Sequence, residues 1–181
     1  MDFVYLFKNQ KLKDNKNQKV RYGETDIKDV IEKVIANSGE ITQKLGARST
    51  TLLHGDYWPG NIHIHPNSSL TVYDWEQAAI GPGVLDLLGF IQASTWWFSP
   101  LPIPPAEIVA HYRSRLSQAG SYTYKDEEWE GIWDFALLWT FVSGWVDILS
   151  KTPDSVLSTR LPALEEVLFK PVRQAAARRL S

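Results

Sequence analysis

His54-Gly55-Asp56-Tyr57-Trp58-Pro59-Gly60-Asn61, followed thirteen residues after Asn61 by Asp74-Trp75-Glu76, is the stretch on which the reading of this chain turns. Thr51-Leu52-Leu53 just upstream is apolar enough for a short buried strand that feeds directly into it. Ile62-His63-Ile64-His65 and Leu70-Thr71-Val72-Tyr73 are β-rich, and Pro66-Asn67-Ser68-Ser69 between them predicts a hairpin. A hairpin brings its two ends back together. Asn61, entering the first arm, and Asp74, leaving the second, are therefore predicted to meet. Asp56 follows a strand and precedes the Pro59-Gly60 turn, a placement that holds a polar side chain at a loop surface.

Composition bounds what surrounds this stretch. The chain has 181 residues, 44% of them apolar, with eight tryptophans, enough for one packed domain and short for two. With 19 basic and 21 acidic residues the net charge is -2, so no overall field attracts nucleic acid or an anionic membrane, and neither is expected as a partner. Cysteine is absent, which removes disulfides, thiolate nucleophiles and cysteine-ligated metals and fits a reducing, cytoplasmic location. The apolar start, Met1 to Phe7, is too short and lacks the flanks of a signal peptide. Nothing later approaches the ~18 uncharged apolar residues of a membrane span.

Along the chain, Phe3 to Phe7 reads as a strand or an extended arm. Residues 9–19 are Lys, Asn, Gln and Asp with only Leu12 apolar, a loop that cannot bury enough surface to offset its ordering entropy. Thr25 is placed to cap a helix bearing Ile27, Val30, Ile31, Val34 and Ile35, ended or interrupted at Gly39. Gly81-Pro82-Gly83 reads as a turn before a helix from Leu85 to Thr95, and the prolines from Pro100 to Pro105 as a rigid connector. Pro105 opens a helix with Ile108, Val109, Tyr112 and Leu116 inward, stopped by Gly120. Residues 126–150 are the longest predicted helix, with Trp129, Ile132, Trp133, Ala136, Leu137, Thr140, Phe141, Gly144, Trp145 and Ile148 on its apolar face. A last helix is predicted from Ala163 to Lys170, with Pro171 breaking it or opening another through Arg179. The fold class is α+β, mostly helical, with one small sheet carrying the polar motifs.

Asp56, Asn61 and Asp74 are the residue types that phosphoryl transfer to a hydroxyl needs. Asp56 is suited to orient the hydroxyl and take its proton. Asn61 offers a neutral oxygen and Asp74 a carboxylate, an economical ligand pair for magnesium already held by phosphates. Glu76 has three readings: a group behind the ligands, a substrate contact, or a solvated acid. His54 is read as a brace for the loop backbone. His63 and His65 share a hairpin face, but zinc there lacks a third ligand apart from the distant His111. Asp86 either caps its helix or accepts hydrogen bonds from the backbone of the Asp56 loop, and the second is favoured.

The motif set resembles the catalytic-loop and metal-binding segments of the aminoglycoside phosphotransferase/choline kinase-like phosphotransferase enzyme family, which is related in fold to protein kinases. The likeness is strong over Leu52 to Phe90 and extends to the end through helical character. It implies that Asp56 is the catalytic aspartate, that Asn61 and Asp74 hold magnesium on ATP, and that Asp86 supports the loop. Such enzymes phosphorylate hydroxyls of aminoglycosides, choline, homoserine, thioribose or sugars. The resemblance further implies the C-terminal lobe of a kinase-like fold over 25–181, with the motifs at 52–90 and a helical subdomain at 91–181. Residues 1–24 would then be an arm and polar loop left from a hinge or preceding lobe. The N-terminal nucleotide-binding lobe of the family, with its glycine-rich loop and lysine, is largely absent. Three accounts stay open: a fragment, a split enzyme whose other lobe is a separate chain, or a lobe kept only for binding or scaffolding. A metal-dependent phosphohydrolase is a further reading, disfavoured by the Asn61–Asp74 pairing. Acceptors of the resembled family lie against the later helices, where Trp96, Trp97 and Phe98 form the best candidate wall. The remaining helical tryptophans read as core and the acids from Asp126 to Asp147 as a wet face.

Overall fold

The computed structural model describes residues 25–47, 50–120 and 123–180. The arm at 3–7 and the polar loop at 9–19 lie outside the described residues. Helix α1, Thr25–Ala36, buries Ile27, Val30, Ile31 and Val34 at helical spacing. A break at Asn37, whose side-chain amide donates to the Lys33 carbonyl at 2.8 Å, separates it from α2, Ser38–Gly46. Gly39 falls in the first turn of α2, whose buried residues are Ile41 and Leu45.

Two antiparallel ribbons follow, one nested in the other. Strands β1, Thr51–Leu53, and β4, Ala79–Gly81, pair with Leu53 opposite Ala79. Inside them β2, Ile62–Ile64, pairs with β3, Leu70–Val72, with Ile62 opposite Val72. Residues 54–78 are thus one excursion closed at its base by the outer ladder. Two expectations are corrected here. Gly81 belongs to a strand, because its backbone completes the ladder with Thr51. And β1 is not buried throughout: a two-stranded ribbon covers one face only, so Leu53 is buried while Leu52 and its cross-strand partner Ile80 are exposed.

Helix α3 spans Val84–Phe98, three residues longer at its end than predicted, and α4 spans Pro105–Gln118. In α4, Ile108, Val109 and Tyr112 are only partly buried, so this helix lies at the rim of the core. It stops before Gly120, whose φ is +67°. The long apolar segment forms α5, Asp126–Thr140, a π-helical turn at Phe141–Trp145, and α6, Val146–Lys151. Although it lacks 18 consecutive uncharged residues, this 26-residue stretch is long and apolar enough to cross a membrane by length and composition, and half of its most apolar window is buried within the fold. The π turn inserts one residue into the helical repeat and rotates everything after it. Hence Ile148, predicted inward, is 43% exposed, and Leu149 takes its place at 0%. Leu149→Ala is expected to cost about 2–5 kcal/mol in urea unfolding, and Ile148→Ala within about 1 kcal/mol. Equal costs would contradict the shifted register.

The chain closes with α7, Asp154–Leu164, a second π turn at Glu165–Phe169, and α8, Lys170–Arg179. The helix predicted from Ala163 is corrected. Helical backbone begins at Asp154 and passes through Pro162, because Leu157 and Leu164 are buried on both sides of the proline and tertiary packing outweighs the missing N–H. Gln92 of α3, fully buried, ties the two π turns together. Its oxygen accepts from the Trp145 indole at 2.7 Å, and its amide donates to the Val167 carbonyl at 3.3 Å. Asp134 departs from the wet-face reading: it is wholly buried and receives Arg178 at 2.6 and 3.0 Å and Arg179 at 2.8 Å, clamping α8 to α5. Those hydrogen bonds hold the Arg178 guanidinium pKa above its ordinary value.

Candidate functional site

The 54–78 excursion is pinned from α3. Asp86, in the first turn of that helix, accepts hydrogen bonds from the backbone N–H of His54 at 2.7 Å and of Gly55 at 3.0 Å. No cap bond forms at this helix start, so the carboxylate serves the loop rather than its own helix. Tyr112 of α4 lies nearby. Its hydroxyl is pushed up to about 12 by burial first, then by the neighbouring Tyr124 and Asp86 charges, and it stays protonated beside the aspartate.

His54 is 2% exposed, and both ring nitrogens are engaged. Nδ1 accepts the Asp56 N–H at 3.2 Å, which leaves Nε2 as the protonated nitrogen, donating to the Tyr73 carbonyl at 2.9 Å. One imidazole therefore links the backbone of Asp56 to the residue before Asp74. The Trp75 ring lies 4.6 Å from it. Gly55 closes the same junction: its φ is +84°, and a Cβ there would sit 2.2 Å from the Gln77 carbonyl oxygen, so only glycine lets the two ends of the excursion touch.

Asp56 and Asn61 meet directly. The Asn61 amide donates to the Asp56 carbonyl at 2.9 Å and to its carboxylate Oδ2 at 3.0 Å. Both partners are acceptors, so the amide nitrogen must face them and the amide oxygen points away from both, in a residue only 7% exposed. The hairpin ladder extends one step beyond its strands, since the Tyr73 N–H donates to the Asn61 carbonyl at 3.1 Å. Asp74 is thus one residue past the cross-strand partner of Asn61. Its backbone is left-handed, φ 69° and ψ 56°, a conformation aspartate tolerates better than most residues, and its side chain is exposed. This turn swings the chain out of β3 into the Trp75–Gln77 helical turn, which carries the exposed Glu76.

Other sequence-selected residues fall elsewhere. His63 and His65 pack edge to face at 4.6 Å, and His65 bonds Thr71 at 2.8 Å. Among the described residues no three His, Cys, Asp or Glu side chains gather around a metal position. Trp96 is a correction: at 6% exposure it packs on Trp145 at 5.8 Å in the core, while Trp97 beside it is 53% exposed. Two further residues bear on the site. Tyr73 donates its hydroxyl to the Gly60 carbonyl at 3.0 Å, and Trp58 meets Trp97 in a tilted contact at 5.9 Å. Trp58 stands within the quoted motif itself, but only the folded loop brings it against α3.

A search of curated proteins finds no match. Among solved structures, an amicoumacin kinase in complex with AMP-PNP, Ca2+ and Ami is similar at 17% identity with a TM-score of 0.47. The similarity covers 92% of this chain and 55% of that one, so the chain spans about half of that kinase's length. The family profile described as the phosphotransferase enzyme family matches residues 6–129, more than half of the chain and the whole of the site described above. The chain belongs to the phosphotransferase enzyme family.

Proposed function

We propose that this chain is the catalytic lobe of an ATP- and magnesium-dependent phosphotransferase acting on a hydroxyl of a small molecule. The observation that carries the reading is the Asn61 amide, fixed by two bonds to Asp56 with its oxygen facing away from that carboxylate. That oxygen and the exposed Asp74 carboxylate are hard donors, the kind magnesium prefers when phosphates complete its shell, so the residues present fit the ion. Asn61 and Asp74 would hold the ion, which would neutralise phosphate charge when bound with ATP. Asp56 accepts a hydrogen bond from the acceptor hydroxyl and aligns it. The acceptor oxygen attacks the γ-phosphorus, the bond from that phosphorus to the β,γ-bridging oxygen breaks, and ADP leaves with the electron pair. The hydroxyl proton passes to the Asp56 carboxylate and then to solvent. Asp86 and His54 hold the loop and take no proton. Glu76 is assigned no step.

The cytoplasm, where ATP is plentiful, is the proposed location. The test is a calorimetric titration of the full chain with ATP, with and without magnesium, followed by 31P NMR with a panel of alcohols and amino alcohols. Magnesium-dependent binding and a phosphorylated acceptor are expected. Magnesium-independent binding, or release of inorganic phosphate that no acceptor alters, would overturn the reading.

A further inference from the structure

The tilted ring pair Trp58–Trp97 has no part in the phosphoryl-transfer geometry, yet it stands beside it. Trp58 is two residues from Asp56 in the same loop, a span of at most about 7 Å of backbone. Its ring packs so closely over Gly60 that a Cβ there would lie 2.3 Å from the indole. This packs the ring tightly against the turn that leads into Asn61. The Trp97 indole then meets it at 5.9 Å with only 31° between the planes. Trp97 also meets buried Trp96 edge to face at 6.4 Å, and about half its surface stays open. Phe98 and Ile103 add exposed apolar surface nearby in sequence, at 53% and 52%. A tryptophan in contact with two other indoles and left half-exposed is arranged to receive something flat.

Charge narrows what that is. Between Arg48 and Arg113 the sequence has no lysine or arginine, while Asp56, Asp74, Glu76, Asp86 and Glu107 all fall there. An acceptor carrying a carboxylate or phosphate would meet only like charge in this stretch. A cationic amine would meet complementary charge and the indole faces as well.

We propose that Trp58 and Trp97 form a specificity platform for the acceptor, and that the acceptor is an alcohol bearing a flat apolar ring, with neutral or positive and not negative charge. The proposal rests on the phosphotransferase reading for the word acceptor, and on the aromatic geometry for the rest. Three probes separate the parts: 2-amino-1-phenylethanol has ring and amine, ethanolamine lacks the ring, and 3-phenyllactate keeps the ring and replaces the amine with a carboxylate. Dissociation constants are measured on the full chain by ligand-observed NMR, for the wild type, Trp97→Ala and Trp97→Phe. The wild type is expected to bind 2-amino-1-phenylethanol about tenfold more tightly than either other probe. Trp97→Ala should shrink the gap over ethanolamine below about threefold, and Trp97→Phe should retain most of it, which a merely unfolded variant would not do. Equal affinities for the three probes in the wild type, or a gap that survives Trp97→Ala, overturns the proposal. So does absence of probe binding, which would assign the face to a protein contact. Failure of the phosphotransferase reading looks different: ring-dependent binding through Trp97 with no phosphoryl transfer from Mg-ATP to the bound probe. That result removes the acceptor role while leaving the platform.

Discussion

Asp56→Asn is expected to lower phosphoryl transfer by about 10²–10⁴-fold while leaving ATP binding and fold stability in place. The substitution is nearly isosteric, and its amide oxygen still accepts the bond from Asn61 that the carboxylate accepts at 3.0 Å. The backbone bond from Asn61 to the Asp56 carbonyl and the bond from the Asp56 N–H to His54 are untouched. What disappears is the ability to take the hydroxyl proton. Stability should therefore change by no more than about 0.5 kcal/mol, the scale of a substitution that breaks no buried partner. Turnover with saturating acceptor and thermal unfolding, measured on the same preparation, check both halves. A loss of turnover below about tenfold with an unchanged melting profile would show that Asp56 only orients, or that another base acts.

Asp74→Asn is expected to reduce magnesium-dependent ATP affinity by about a hundredfold or more, towards the value without magnesium, because the only anionic oxygen of the proposed ligand pair is lost. Asparagine is the informative replacement. Asp74 is held at φ 69°, and asparagine shares aspartate's tolerance of that region, so backbone strain is not confounded with ligand loss. Asp74→Gly serves as the complementary control, since it relieves the backbone entirely. If affinity recovers with glycine, the conformation and not the carboxylate was at fault. Calorimetric titrations with and without magnesium read the difference. Unchanged magnesium dependence in Asp74→Asn would mean the proposed ion position is wrong.

Much of this site was legible as text because its information is local. A strand, a loop with Pro59-Gly60 and a hairpin have signatures within a few residues, and hairpin closure follows from turn chemistry alone. The ladder bond between Tyr73 and Asn61 is the consequence. The β1–β4 ladder was not legible, because Ala79-Ile80-Gly81 has strand character only when Thr51-Leu52-Leu53 lies alongside. Nor was the inward turn of Leu149, since a π insertion leaves no compositional mark and is stabilised by a distant side chain, Gln92, bonding the Trp145 indole.

Sequence by itself determined the chemistry available: which oxygens are present, their order, and the turn that brings Asn61 back towards Asp74. Those follow from residue identity and short-range backbone preference. Tertiary structure decided which way the groups face. Asp86 serves the loop and not its own helix, Asp134 is buried under two arginines, and of two adjacent tryptophans one enters the core while the other meets Trp58 in a tilted ring contact. Each of these choices compares burial and hydrogen bonding between segments far apart in the chain, a comparison no local window contains.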